Sequence, residues 1–215
     1  MNKKIFIILP HKDQFIKNYA GSASIWVKDF FKKSKYKRLI KIFGSTQNTK
    51  NIFIKKNYLN IKIPQIKLLS KSDFYTNKLI KYCNSYKPSV IEIHNRPSYL
   101  LNISKKYSNT NYILVIHNDP LNLKGSNSIS ERKNLLNLCY KIYFVSSWVE
   151  EKFFNGLDKN FYTNFQTIYP SIDKINKLPK KHKTIIFSGK LNAAKGFDKF
   201  ASAITKILKK YKDWK

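Results

Sequence analysis

Acidic residues are the scarce class in this sequence: 12 Asp and Glu stand against 42 Lys and Arg in 215 residues, a formal net charge of +30. Such a field disfavours cationic partners and favours anionic ones, whether nucleic acid, a phosphorylated small molecule or an anionic membrane face. The lysines are scattered rather than blocked and come with abundant Asn, Ile, Tyr and Phe, whose codons are rich in A and T. Compositional bias therefore accounts for the excess as readily as a basic patch does. Cysteine is nearly lacking. Cys83 and Cys139 stand far apart with no CxxC or Cys/His spacing, which excludes a disulfide framework and a zinc site and suits a reducing compartment.

Long apolar runs are also missing. The N-terminal run Ile5–Leu9 is closed by Pro10, His11 and Lys12, and no later run approaches the roughly 18 apolar residues of a membrane span. The expected location is cytoplasmic, soluble or peripheral at the cytoplasmic face of the membrane. No Walker loop, GxGxxG, nucleophile elbow or HExxH spacing occurs, so P-loop, dinucleotide-binding, serine-hydrolase and zincin readings have no support. Internal repeats and low-complexity tracts are lacking too.

What is present is a hydrophobic fraction of 42% and an aromatic fraction of 15% spread along the chain, enough for a folded core. Short apolar runs at Ile5–Leu9, Val90–Ile93, Tyr112–Ile116 and Ile142–Val145, with Arg38–Phe43 and Phe165–Tyr169, suit strands covered on both faces. Helical patterns fall between them at residues 22–33, 72–86, 98–107, 130–138 and 147–155, several opening on a Ser able to cap. The alternation predicts an α/β fold with a mainly parallel sheet. Residues 48–69 are less regular and read as an extra hairpin or a loop. The polar, Lys-rich stretch that begins at Pro170 and includes Pro179 reads as a linker, with the boundary at residues 171–182.

In an open parallel sheet, ligands bind beyond the carboxyl ends of the strands. The unusual polar clusters fall at such ends: His11 and Tyr19–Ser24 after the first strand, His94–Pro97 ("HNRP"), His117–Pro120 ("HNDP"), and Ser146 with Ser147. Singly, each has an ordinary reading, since His after a strand often caps, and Asn-Arg-Pro and Asn-Asp-Pro are common turns. Their joint position on one sheet edge is the signal. Gly21, leading into Ser22 and Ser24, can present backbone N–H groups to a phosphate at a helix start, or can simply precede a capped helix.

After the linker, "IIFSGKLNAAKGFDKFASAITKIL", Ile185–Leu208, reads as a buried strand, a turn with Lys190 and Lys195, and a helix with Phe197, Phe200, Ile204 and Leu208 on its apolar face. Two lysines beside a helix N-terminus can neutralise a diphosphate, or can be two solvated lysines in a Lys-rich protein.

The segment "FSGKLNAAKGFDKFASAI" resembles the start of the nucleotide-binding domain of glycosyltransferase family 4, retaining enzymes of GT-B fold. "VIEIHNRPSYL", "ILVIHNDPLNLKGS", "IYFVSSWVEEKF" and "TIYPSID" are similar, in order, to segments of the family's acceptor domain and hinge. The resemblance implies a GT-B-type Rossmann-like acceptor domain over residues 1–170, the linker, and the incomplete start of a second Rossmann-like, donor-binding domain over 183–215. It implies that Lys190 and Lys195 contact the diphosphate of a nucleotide-sugar and that Gly21's loop lies near the phosphates. His117 would be the catalytic histidine facing the donor sugar, with His94, Asn95, Arg96, Asn118 and Asp119 lining the acceptor cleft. It also implies a hexosyl transferase using no cofactor and no obligatory metal, with a glycan or lipid-linked acceptor in cell-envelope polysaccharide or lipopolysaccharide assembly.

Departures are visible. The family's Arg is Lys190, its Gly-Gly pair is Gly21-Ser22, and its "YNG" is Tyr169–Ser171. The paired glutamates of its donor domain have no counterpart, which implies that this chain is inactive alone. The alternative is a non-catalytic basic module engaging nucleic acid or anionic membrane.

Overall fold

The structure, a computed structural model, describes residues 3–65, 70–174, 176–177, 180–189 and 191–215. The chain divides into two compact units, Met1–Ser171 and Ile172–Lys215.

The first unit is built on a seven-stranded sheet of order β3-β2-β1-β4-β5-β6-β7. Its strands are β1 (Ile5–Ile8), β2 (Ile40–Gly44), β3 (Tyr58–Asn60), β4 (Val90–His94), β5 (Asn111–Ile116), β6 (Cys139–Phe144) and β7 (Phe165–Thr167). Every neighbouring pair is parallel. The connecting helices are α1 (Ser22–Lys33), α2 (Lys71–Tyr86), α3 (Pro97–Ser104), α4 (Ile129–Leu138) and α5 (Ser147–Phe153). The expected α/β class with a parallel sheet is what the chain forms.

Residue alternation along the strands divides the core. Phe6, Ile8, Ile91, Ile93, Leu114, Ile116, Ile142 and Phe144 point to one face, where residues of α2, α3, α4 and α5 cover them. Ile7, Leu9, Ile40 and Ile42 point to the other, where Ala23, Val27 and Phe31 of α1 and the loop residue Phe15 pack. β1 is an interior strand, paired on both sides, and its Phe6, Ile7 and Ile8 have no exposed surface, each burial contributing about 1.5–3 kcal/mol. Cys83 and Cys139 are buried free thiols, and burial pushes both upward, Cys83 to about 12.

Helix starts follow local chemistry where a Ser is available. Ser128 and Glu131 form a reciprocal capping box on α4, Ser146 accepts the Val149 N–H, and Ser70 accepts the Asp73 N–H. α1 differs: it opens at Ser22 with Gly21 as its cap residue and no side-chain cap from either. The irregular stretch at residues 48–69 holds β3, an edge strand of three residues, missed because it is too short for alternation to register. Ile16 and Ile52 add an antiparallel bridge beside it.

In the second unit the expected buried strand does not form. Ile185–Gly189 pairs in no sheet, and Ile186 is 77% exposed. A strand is stabilised by a ladder partner, and among the described residues of this unit no second strand is present; the backbone instead pairs Ile185 N–H with the Lys215 carbonyl. α6 (Phe197–Lys210) does form, with Gly196 at its start in the left-handed region at φ 74°. Phe187 packs on Phe197 and Phe200 at 5.3 and 5.2 Å between ring centroids, which uses the apolar face expected from the sequence. Among the described residues no helix is long and apolar enough to cross a membrane.

Candidate functional site

β4 and β5 are adjacent and parallel, with His94, the last residue of β4, opposite Val115, so the turns that begin at Asn95 and at His117 emerge side by side. Alternation on β4 places Ile91 and Ile93 in the helix-covered core and Glu92 and His94 on the opposite face. His94 is fully buried. Its Nε2 lies 2.7 Å from Glu92 Oε1, and its Nδ1 lies 3.0 Å from Nε2 of His117. Trp26 of α1 meets the His117 ring edge-on at 5.7 Å. Burial, and then the neighbouring His94, hold the His117 imidazole down at about 3, so it is neutral at physiological pH.

The turn between them is held from Asn95. This buried residue sits in the left-handed region at φ 52°, which Asn tolerates better than most residues. Its backbone N–H donates to the Val115 carbonyl at 2.7 Å, and its side-chain Oδ1 accepts the backbone N–H groups of His117 and Asn118, each at 3.2 Å. Arg96 donates from its guanidinium to the Asn95 carbonyl at 2.8 Å. Asn118 is exposed. Asp119 caps the next turn, accepting from Leu121 N–H at 3.0 Å and from the Asn122 amide at 2.9 Å.

At the end of β1, Tyr99 of α3 hydrogen-bonds His11 Nδ1, and the His11 N–H donates to the same hydroxyl at 3.4 Å. Burial lowers the His11 pKa, as do the charges of Arg96, Lys12 and Lys71. Asp13 determines what the start of α1 can do: its carboxylate accepts the Gly21 N–H at 2.7 Å and the Ser24 N–H at 3.2 Å. The amides expected to face a phosphate are held by the chain's own acid. Ser24 Oγ is buried and has no hydrogen-bond partner among the described residues.

The structure thus brings His94, Asn95, Arg96, His117 and Asn118 together at the carboxyl edge of β4 and β5. Lys195 is exposed in the other unit, its N–H donating to Asn192 Oδ1 at 3.1 Å, and Lys190 lies outside the described residues. Glu92, Trp26 and Asp13 were missed. Glu92 had a usable signal, a lone acid two residues before a histidine in an otherwise apolar strand. Trp26 and Asp13 had none, because each meets its partner only through the fold. Among the described residues no group of three or more His, Cys, Asp or Glu side chains is gathered to hold a metal ion.

No family model matches the chain, and no curated protein matches it by sequence. Solved structures do. The Anabaena protein HepE, in complex with UDP and glucose, is similar at a TM-score of 0.54 and 15% identity over 80% of this chain and 45% of that one. A sucrose-phosphate synthase structure from Thermosynechococcus elongatus is similar at a TM-score of 0.54 and 9% identity over 78% of this chain and 90% of that one. A glycosyltransferase from Rickettsia africae is similar at a TM-score of 0.50 and 12% identity over 80% of this chain and 44% of that one. The chain spans less than half the length of the Anabaena and Rickettsia proteins. At these identities the likeness establishes the fold: this chain carries the Rossmann-like α/β architecture that glycosyltransferases use.

Proposed function

We propose that the chain belongs to a glycosyltransferase that moves a sugar from a nucleotide-sugar donor to a glycan or lipid-linked acceptor. The observation that carries the reading is the pair of His-Asn turns meeting at the carboxyl edge of a parallel sheet, with His94 Nδ1 and His117 Nε2 3.0 Å apart. That edge is where open α/β sheets bind ligands. The fold likeness to HepE, solved with UDP and glucose, supports the donor class.

In this reading His117 faces the donor sugar, and Asn118 and Arg96 present polar groups to the acceptor. His94 and Asn95, being buried, act by holding His117 and its turn. The basic residues Lys190 and Lys195 would neutralise charge growing on the leaving diphosphate, an electrostatic contribution to the transition state. Gly21 would serve the phosphates only by shedding the Asp13 carboxylate that occupies its N–H. Retention of configuration, hexosyl specificity and independence of metal follow from the same family reading. So do a role in cell-envelope polysaccharide or lipopolysaccharide assembly and a place at the cytoplasmic face of the membrane, where the +30 charge would favour anionic lipid.

The test is calorimetric titration of UDP-glucose and a panel of other nucleotide-sugars into this chain and into one extended by a complete donor domain. Saturable binding that strengthens in the extended form supports the reading. No binding in either form overturns it.

A further inference from the structure

We propose that Glu92 and His94 are positioning residues that fix the tautomer of His117, leaving its Nδ1 lone pair as a hydrogen-bond acceptor for a ligand hydroxyl. The ligand part rests on the glycosyl-transfer reading; the tautomer part does not.

The proton positions follow from a chain of three side chains. A carboxylate only accepts hydrogen bonds, so Glu92 Oε1, 2.7 Å from His94 Nε2, requires a proton on that nitrogen. In the neutral form of His94 this is its one N–H, which leaves Nδ1 bare. His94 Nδ1 is 3.0 Å from His117 Nε2, so the hydrogen between them sits on His117. His117 is itself neutral, because burial and the adjacent imidazole disfavour its charged form. Its Nδ1 is then an unprotonated acceptor, and it has no hydrogen-bond partner among the described residues.

Each member is placed to do nothing else. His94 is fully buried, so it acts through His117 and not on a ligand. Trp26 meets the His117 ring edge-on, and Asn95 Oδ1 holds the His117 backbone N–H at 3.2 Å, so His117 is contacted on ring and backbone. Histidine tautomers differ little in free energy in water, and a buried carboxylate-to-imidazole bond is the usual means of choosing one. Glu92 is otherwise an unexplained acid in a strand whose neighbours Ile91 and Ile93 are core residues.

The experiment is long-range proton–nitrogen NMR of the full 215-residue chain labelled with 15N-histidine, at neutral pH. His94 and His117 should both appear as Nε2–H tautomers. In Glu92→Leu, with an otherwise native amide spectrum, His117 should become a mixture of tautomers, with part of its Nε2–H population passing to Nδ1–H. A proton on His117 Nδ1, an imidazolium at His94, or an unchanged His117 in Glu92→Leu overturns the proposal; if that variant does not fold, the wild-type spectrum decides. UDP-glucose added to the wild type should shift His117 Nδ1 beyond what UDP alone does, and binding without that shift overturns the hydroxyl acceptor. Expected tautomers with no UDP-glucose binding in any form of the chain sink the glycosyl-transfer reading and leave the positioning of His117 standing.

Discussion

The Asp13 carboxylate accepts the Gly21 N–H at 2.7 Å, so the first turn of α1 is capped by a residue eight positions earlier in the chain. The two groups fit so closely that a Cβ at Gly21 would lie 2.4 Å from Asp13 Oδ1. Gly21 has ordinary φ, at −79°, so the glycine is required by this approach and not by its backbone conformation. Gly21→Ala should cost about 1–2 kcal/mol by displacing the carboxylate, and Asp13→Ala about 0.5–2 kcal/mol. The double variant should cost less than the sum, because both remove the same bond. Urea denaturation of the four forms checks it.

Acid should destabilise the protein through His117. The unfolded imidazole titrates near 6.5, whereas the folded one is held at about 3. Between those values the unfolded state binds the proton and the folded state does not, so stability falls as pH falls through that window. His11, also lowered, acts in the same sense. His117→Asn should flatten the dependence of Tm on pH between about 6.5 and 4, and an equal slope in variant and wild type would refute the assignment.

Asn95 separates two effects, backbone conformation and bonding. Asn95→Gly loses the acceptor for His117 and Asn118 N–H but suits the positive φ, while Asn95→Ala loses both advantages. Stability should fall in the order Asn, Gly, Ala, with the last step about 1 kcal/mol. Chemical denaturation measures it, and the His117 amide resonance should move in both variants.

Arg132 is 2% exposed and donates to the carbonyls of Ser126, Asn127 and Asn155 at 3.2, 3.1 and 2.6 Å. It ties the loop before α4 to the one after α5. Arg132→Met keeps much of the volume and strips the donors from three carbonyls, which should cost about 2–4 kcal/mol. Thermal melts check the loss.

The alternation of short apolar runs with helical periodicity was sufficient to determine the parallel α/β class, and residue order along "VIEIHNRP" and "YILVIHNDP" already placed both histidines at strand ends, although His94 proves to be the last residue of β4 and only His117 lies just past its strand. The reason is local: β propensity, period and caps act over a few residues. Glu92 was half legible, as an acid breaking an apolar run. What only the tertiary structure decided is long-range. The pairing of β4 with β5 brings His94 to His117 across 23 positions, and α1 carries Trp26 against the same ring. Asp13 fills the helix start that the sequence offered to a phosphate. The segment Ile185–Gly189 makes the same point in reverse, since its composition is that of a strand and it forms none. A strand, unlike a helix such as α6, takes its hydrogen bonds from another segment of chain, and no local pattern supplies them.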